Sequence, residues 1–407
     1  FIIGLILLLV ALLGAPLFAI IGAIAMLSFA AEGIESSAVM VELYRICSSP
    51  TLVAIPLFTF AGYVMAESKT PVRLVNLARA FFGSFSGGLA VVALVTCAIF
   101  TAFTGASGVT IVALGGLLLP ILLKEQYPEK FSLGLITTSG SLGLLFPPSL
   151  PLILYALIGK ISIDRLFAAG IIPGILLVVV LSTYGIQQGK KAKVPTTPFA
   201  WENVKSSLRA AMWELPLPFI VIGGIYGGAF TATEAAAVTA FYVLVVEVFI
   251  YKDLDLFRDI PRVMRESMVL VGAILMIIGT AMGLTNYLVD EEVPMKLFEF
   301  TKTFISSPVM FLVVLNCFLI IVGMMMDIFS AIIVVVPLII PIATAYGVDP
   351  VHLGIIFLTN LEIGYLTPPV GLNLFISSIR FQKPVFTIVR ATLPYIGILL
   401  IALIIIN

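Results

Sequence analysis

The sequence is short of charge and of the residues that build polar catalytic centres. Asp, Glu, Lys and Arg make up 11% of 407 residues, against about 25% in a soluble globular domain. It has one histidine, His352, and three cysteines, Cys47, Cys97 and Cys317, in no CxxC or metal-ligand spacing. A metal cluster is therefore not encoded, and the cysteines are expected as small packing residues. Lys+Arg 22 balances Asp+Glu 22, so net charge points neither to nucleic acid nor to an anionic surface. What the chain has instead is apolar sequence: 61% of residues are hydrophobic and mean hydropathy is +1.19. Apolar runs of about 15–25 residues recur from end to end, which excludes a soluble enzyme and defines an all-α polytopic membrane protein. Phe1 opens directly into "FIIGLILLLVALLG", without Met or a basic n-region, so a longer polypeptide is expected upstream.

Membrane helices are expected at about 1–14, 16–30, 49–66, 132–158, 165–187, 214–230, 232–251, 268–289, 352–378 and 385–406. Two further apolar stretches, about 88–123 and 308–341, are interrupted at mid-length by "TGASGVT" (Thr104–Thr110) and "MMDIFSA" (Met325–Ala331). Two half-length helices meeting at a polar tip make a re-entrant hairpin, allowed at depth only where protein or a water-filled cavity surrounds it. Amphipathic pieces at Pro71–Phe82, Pro294–Phe304 and Trp201–Trp213 read as surface arms. The clusters Lys190, Lys191, Lys193, Lys205, Arg209 and Lys252, Arg258, Arg262, Arg265 belong on the cytoplasmic side by the positive-inside rule. Threading from there puts both termini outside and the two hairpins on opposite faces. Lys160 and Arg165 are the exception, since this topology leaves them outside.

Pro147-Pro148, within "GLLFPPSLPLILY" (Gly143–Tyr155), removes backbone N–H groups in mid-membrane, where lipid offers no substitute. The stretch has a partner in "GYLTPPVGLNLFI" (Gly364–Ile376), offset by 221 positions, as from Gly143 to Gly364. The same offset carries Pro120 onto Pro341 and Gly62 onto Gly283. Helix, arm, hairpin, broken helix and closing helix thus occur twice. With opposite orientation this is an inverted-topology repeat of about 5+5 helices, an architecture that places binding sites at discontinuous helices near the midplane.

A broken helix presents carbonyls to cations and amides to anions. In the first repeat the Gly105–Gly108 tip can meet the Pro147–Pro148 break, with hydroxyls from Thr104, Ser107, Thr110, Ser139, Ser141 and Ser149. In the second, the Asp327–Ser330 tip can meet the Pro368–Pro369 break, with Thr359, Asn360, Thr367 and Asn373 nearby. Neutral oxygens with one carboxylate suit Na⁺ better than Ca²⁺. Neither tip nor break holds Arg or Lys, so an anion there depends on helix termini, cations and neutral side chains. Each residue also has a plainer role. Ser107 suits close helix packing, Asp327 a hairpin cap, Glu362 a backbone contact, His352 a helix start and Met324–Met326 packing. Thr231-Ala-Thr-Glu234 fits a capping box.

"FTGASGVT", "GLLFPPSLPLILYA", "GGIYGGAFTATEAAAV" and "GYLTPPVGLNLF" resemble the large membrane subunit of tripartite ATP-independent periplasmic (TRAP) transporters, over nearly the whole chain. The resemblance implies an elevator-type, Na⁺-coupled importer of a small organic anion, a carboxylate such as a C4-dicarboxylate or a sialic acid, with two or more Na⁺ and no organic cofactor. It implies one sodium site at Gly105, Ser107, Gly108, Phe146 and Ser149, and a second at Asp327, Ser330, Gly364, Thr367 and Gly371. Substrate is expected in the cleft between them, at Thr104, Ser141, Asn360 and Asn373. Residues 87–158 and 308–378 form the expected transport domain. Residues 1–66 and 159–289, with cytoplasmic loop 188–213, form the scaffold; 67–86 and 290–307 are arms, and 379–407 is the closing helix. Implied partners are a small four-helix membrane subunit (Q-type, separate or fused upstream of Phe1), a periplasmic substrate-binding protein and the lipid bilayer of a bacterial or archaeal inner membrane. A stand-alone Na⁺/dicarboxylate symporter of similar fold is the alternative. A channel or intramembrane enzyme fits less well, because no membrane-depth His or nucleophile–base pair is present.

Overall fold

In a computed structural model of the chain, the residues described are 7, 9–10, 15–35, 37, 39–41, 44, 48, 50–85, 87–194, 199–305 and 307–407. Most of the expected helix 1–14, all of Cys47 and positions 195–198 of the expected cytoplasmic loop lie outside them. All regular elements among the described residues are helical. The first repeat runs through α1 (Leu17–Ala31), α2 (Ala54–Glu67), the arm α3 (Thr70–Phe82) and the hairpin α4–α5 (Gly88–Thr104 and Ser107–Lys124). It closes with α6 (Glu129–Ser139), a 3-10 turn (Leu142–Leu145), α7 (Leu150–Gly159) and α8 (Ile163–Lys191). Two connecting helices follow, α9 (Trp201–Ala210) and α10 (Pro216–Tyr226). The second repeat comprises α11 (Ala232–Ile250), α12 (Asp259–Asp290), the arm α13 (Val293–Phe304) and the hairpin α14–α15 (Pro308–Met325 and Ile328–Ala345). It ends with α16 (Pro350–Gly364), α17 (Leu372–Phe381) and α18 (Val385–Ile406).

Seven of these helices are long and apolar enough to cross a membrane, and α6–α7 make a bent pair that passes the same test together. Shifting Thr104, Ser107 and Lys124 by the repeat offset lands on Met325, Ile328 and Ala345, the corresponding bounds of the second hairpin. Local chemistry sets many of these ends. Ser162, Thr231, Ser307, Asp327 and Asp349 each accept a first-turn backbone N–H, and proline stands in the first turn of α3, α7, α10, α13, α14 and α16, where no N–H is missed. Thr231 and Glu234 form the expected capping box. The expected helix at 268–289 is longer than its apolar part: α12 begins at Asp259 and carries Arg262 and Arg265 on an extra polar segment.

Both expected breaks are present. Pro147-Pro148 and Pro368-Pro369 are cis peptide bonds, and each interrupts a helix where it crosses a hairpin arm. Gly143 lies on α4, so that a Cβ there would stand 2.2 Å from the Ala98 carbonyl oxygen; at Gly364 it would stand 2.5 Å from the Gly323 carbonyl carbon. No larger residue permits these approaches.

The inversion shows in which ends meet. Tyr155, near the end of α7, donates its hydroxyl to the Pro350 carbonyl at the start of α16 (3.0 Å). Conversely, Lys383, just beyond α17, pairs with Glu129 at the start of α6 (2.5 Å). Each broken helix therefore exits on the face from which the other repeat's broken helix enters, and the hairpins open to opposite faces.

Arm α3 is fixed by charge to the turn before α10, to α11 and to the loop that follows α11. Arg73 lies among Glu214, Glu247 (2.8 Å) and Asp253 (2.5 Å), with its guanidinium 3.9 Å from the Tyr251 ring centre. Burial pulls the Arg73 pKa down, but the Asp253 hydrogen bond and the Glu247 and Glu214 charges outweigh it and raise it. At the other end of the arm, Arg79 pairs with Glu125, just past α5 (2.7 Å). Arm α13 has no comparable fixing among the described residues: Lys296 reaches Glu291 at 3.9 Å, and Phe300 and Phe304 are exposed.

Candidate functional site

Tip 1 begins where α4 ends. Gly105 closes α4 in the left-handed region (φ 64°), Ala106 is extended, and Ser107 opens α5. Leu150, the first residue of α7, fills the space beside Gly105, so the tip sits on the first break as expected. It also reaches the other repeat. Ser107 Oγ donates to Asn373 Oδ1 (2.7 Å), and Ile376 stands over Gly108. Asn373 Nδ2 donates in turn to the Thr137 carbonyl (3.3 Å), the Thr137 and Ser377 hydroxyl oxygens are hydrogen-bonded at 2.9 Å, and Arg380 Nε donates to the Val112 carbonyl (3.0 Å). Residues 373, 377 and 380 lie on one side of α17 at helical spacing, which is why a single helix can serve as a polar seam against α5 and α6. The Val112 carbonyl lies in a π-helical segment, Ile111–Gly115, where the usual ladder is interrupted.

Tip 2 is tied to its own break. Met326 is extended, and Asp327 caps α15: its Oδ2 accepts from the Phe329 and Ser330 amides (3.0 Å each), and Ser330 Oγ donates to its Oδ1. The Ile328 amide donates to the buried Tyr365 hydroxyl, and the Gly371 amide to the Met324 carbonyl (3.0 Å). Tyr365 therefore touches the Asp327–Ser330 tip, while Gly364 and Gly371 meet Gly323 and Met324 just before it. Thr367 Oγ1 returns to the Ile363 carbonyl (2.8 Å).

Several buried polar atoms at these crossings have no hydrogen-bond partner: Thr104 Oγ1, Thr138 Oγ1, Ser149 Oγ, Asn360 Oδ1 and both carboxyl oxygens of Glu362. Thr104 and Ser149 are the neighbours of the touching pair Gly105 and Leu150, so two unpaired hydroxyl oxygens flank the first tip–break contact. Oxygen atoms left unpaired in a buried crossing fit a small cation or a bound solute. The Phe146 ring faces Gly174 on α8, and its carbonyl accepts from the Ser149 amide (3.0 Å). Ser141 Oγ bonds the Thr138 carbonyl (3.3 Å). Asn360 stands apart from Asn373: its Nδ2 donates to Asn316 Oδ1 (2.6 Å) on α14, and Asn316 reaches Asn407 (3.1 Å). The structure thus brings Thr104, Ser107, Ser149 and Asn373 to the first tip and turns Asn360 toward α14. Tyr365, and Ser377 and Arg380 of the α17 seam, were not singled out from sequence. The available signal was Tyr365 beside Gly364 and the 373/377/380 spacing.

Paired broken helices, two hairpins of opposite entry and unpaired oxygens at their crossings define the class as a multi-pass membrane transporter with an inverted repeat. The chain belongs to the tripartite ATP-independent periplasmic transporter family, DctM component, which it matches over residues 1–407. It is 38% identical over 387 residues to the C4-dicarboxylate TRAP transporter large permease protein DctM of Pseudomonas aeruginosa, covering 95% of this chain and 90% of that one. To the isethionate TRAP transporter permease protein DctMQ of Oleidesulfovibrio alaskensis it is 35% identical over 367 residues, covering 87% of this chain and 56% of that one. Among solved structures, the YdaH transporter of Alcanivorax borkumensis, whose crystal structure is described as having an unusual topology, shares the fold (TM-score 0.68, 13% identity, 91% and 86% of the two chains).

Proposed function

We propose that this large permease is a Na⁺-coupled elevator importer of a small organic anion, a carboxylate such as a C4-dicarboxylate or a sialic acid. A periplasmic binding protein delivers the substrate, and a small membrane subunit completes the scaffold. The observation that carries this reading is the tip–break geometry. Each hairpin tip meets a broken helix, buried oxygens there lack partners, and no Lys or Arg stands in either tip or break. An anion held without a cationic side chain depends on helix amides and bound cations, which ties its entry to a sodium gradient. One sodium position is assigned to Gly105, Ser107, Gly108, Phe146 and Ser149, and a second to Asp327, Ser330, Gly364, Thr367 and Gly371, with Thr104, Ser141, Asn360 and Asn373 assigned to substrate. Residues 87–158 and 308–378 are the moving part, bonded to each other through the α17 seam. A relative named DctMQ, of whose length this chain covers 56%, supports a small subunit that is separate or carried on the same polypeptide. Residence in a bacterial or archaeal inner membrane follows from the same relationship.

Uptake of labelled dicarboxylate or sialic acid into proteoliposomes tests the reading. Accumulation is expected only with an inward sodium gradient and the cognate binding protein. Uptake without the binding protein identifies a stand-alone symporter, and currents without a sodium gradient identify a channel. Asp327→Asn separates two roles, because Asn caps a helix as well as Asp does but carries no charge. Folding is expected to persist while sodium dependence weakens. An unchanged sodium response removes Asp327 from the second position.

A further inference from the structure

The two hairpin tips differ at positions that the repeat offset equates. In the second tip, the first three amides of α15 are all taken. Asp327 Oδ2 accepts from Phe329 and Ser330 (3.0 Å each), and the Ile328 amide donates to the Tyr365 hydroxyl. A capping carboxylate serves the second and third amides of a helix and leaves the first to another acceptor. Here that acceptor comes from across the crossing: Tyr365 directly follows α16 and is 2% exposed. The repeat offset carries Ala106 onto Asp327 and Leu144 onto Tyr365. Ala106 supplies no side-chain cap to α5, and Leu144 has no hydroxyl to give. A hairpin tip and a broken helix therefore form in the first copy without either group, so the fold by itself requires neither. The carboxylate and the hydroxyl occur together in one copy and are missing together from the other.

An ionised carboxyl has about four lone-pair sites. In Asp327, Oδ2 serves two amides and Oδ1 holds the Ser330 hydroxyl, so one site stays open, and it is on Oδ1. Without the Tyr365 hydroxyl the buried Ile328 N–H has no acceptor, and the carboxylate of the adjacent Asp327 is the strong one beside it. A third amide on that carboxylate takes its last open site. We propose that Tyr365 is a positioning residue for the second sodium position: by accepting the Ile328 amide, it keeps the open site of Asp327 for the ion. The inference rests on the proposed assignment of sodium to Asp327. Tyr365 acts through Asp327 rather than as a ligand, so its effect falls on sodium affinity and not on the movement of the loaded hairpins.

Sodium titration of the melting temperature tests it, because an ion that binds only the folded protein raises the midpoint with its concentration. Full-length parent and Tyr365→Phe are melted over a NaCl series, with choline chloride holding the ionic strength. Sodium-driven uptake into proteoliposomes is measured on the same proteins. In Tyr365→Phe the half-effect sodium concentration is expected to rise on the order of tenfold in both assays, the ratio that about 1.4 kcal/mol produces, with the maximal uptake rate retained. A hydroxyl with a structural role alone would lower the melting temperature equally at every sodium concentration and leave the half-effect value in place, and that result overturns the proposal. Ile328→Pro removes the donor itself, at a helix position that suits proline. Adding it to Tyr365→Phe is expected to restore the parental sodium response, and failure of that rescue overturns the route through the Ile328 amide. If Tyr365→Phe alone does not fold, the double variant decides, and a sodium response unlike the parent's counts against the proposal. No sodium response in the parent removes the sodium reading and the role of Tyr365 with it, whereas a parental response shared by Tyr365→Phe overturns Tyr365 alone.

Discussion

Arg73→Gln tests the strongest electrostatic claim in the structure. The Arg73 side chain is 12% exposed and its three carboxylates are 1–5% exposed, so the substitution leaves three buried acids with one cation removed. Breaking a buried ion pair by removing one partner costs about 3–5 kcal/mol. Partial compensation remains: Thr70 still donates to Glu247 (2.8 Å), Tyr251 to Glu214 (2.9 Å) and Lys69 reaches Asp253 (3.4 Å). The lower end, about 3 kcal/mol, is therefore expected. Arg79→Gln is the internal control, because the Arg79–Glu125 pair is 38% and 22% exposed, and such pairs contribute about 0–1 kcal/mol. Denaturant titration of the solubilised protein, followed by tryptophan emission, measures both. Equal midpoints for the two variants would refute the clamp. The pH dependence has a fixed sign. Burial raises the Asp253 pKa, but the Arg73 hydrogen bond, the Lys69 amide and the charges of both residues outweigh it and leave a net lowering. A carboxyl depressed on folding stabilises above its unfolded pKa of about 3.9 and loses that contribution as pH falls through the folded value. The gap between wild type and Arg73→Gln should therefore narrow as pH falls through the carboxylate range.

Ser107→Ala leaves the buried Asn373 Oδ1 without its 2.7 Å donor, so a stability loss of about 1–3 kcal/mol and slower sodium-driven uptake are expected. Melting and transport of the same preparation check both, and unaltered values in each would remove the inter-repeat bond from the mechanism. Gly364→Ala puts a Cβ 2.5 Å from the Gly323 backbone, which cannot yield as a flexible side chain would. A loss of at least about 1–3 kcal/mol is expected, whereas Gly397→Ala, with open space around it, should leave the folded yield unchanged. Asp327→Asn should preserve folding while weakening the sodium dependence of uptake. Loss of folding instead would show that the carboxylate charge serves the hairpin itself.

Much of the architecture was legible because bilayer physics leaves few options. Apolar run length placed α1, α11 and α18 to within a residue and α8 to within four. The repeat offset located both hairpins and both breaks, because proline pairs and mid-length polar tips have no place in an ordinary membrane helix. Helix extensions were less visible. α12 starts at Asp259 because its first turns carry charge and project beyond the apolar stretch that hydropathy detects. The site was legible as a set of segments and only partly as contacts. Asp327 with Ser330, and Gly105 against the first break, follow from spacing within a repeat. Tyr365 at the Ile328 amide depends on the side-chain direction at a helix end, and Asn360 turning to Asn316 depends on which helix lies beside it.

By itself the sequence determined that the chain is membrane-embedded and built twice, with the second copy inverted. These properties follow from hydrophobic length, from the cost of unpaired backbone groups in lipid, and from a constant offset that needs no coordinates. Only the tertiary structure decided that the two copies interlock. Ser107 bonds Asn373, Thr137 bonds Ser377, and Glu129 meets Lys383. These pairs are more than 200 positions apart and obey no local periodicity. They arise because an inverted pair of broken helices must exit where its partner enters, which brings the end of each against the start of the other. The same geometry brought Arg73 together with Glu214, Glu247 and Asp253, charges that composition counts as balanced but cannot place.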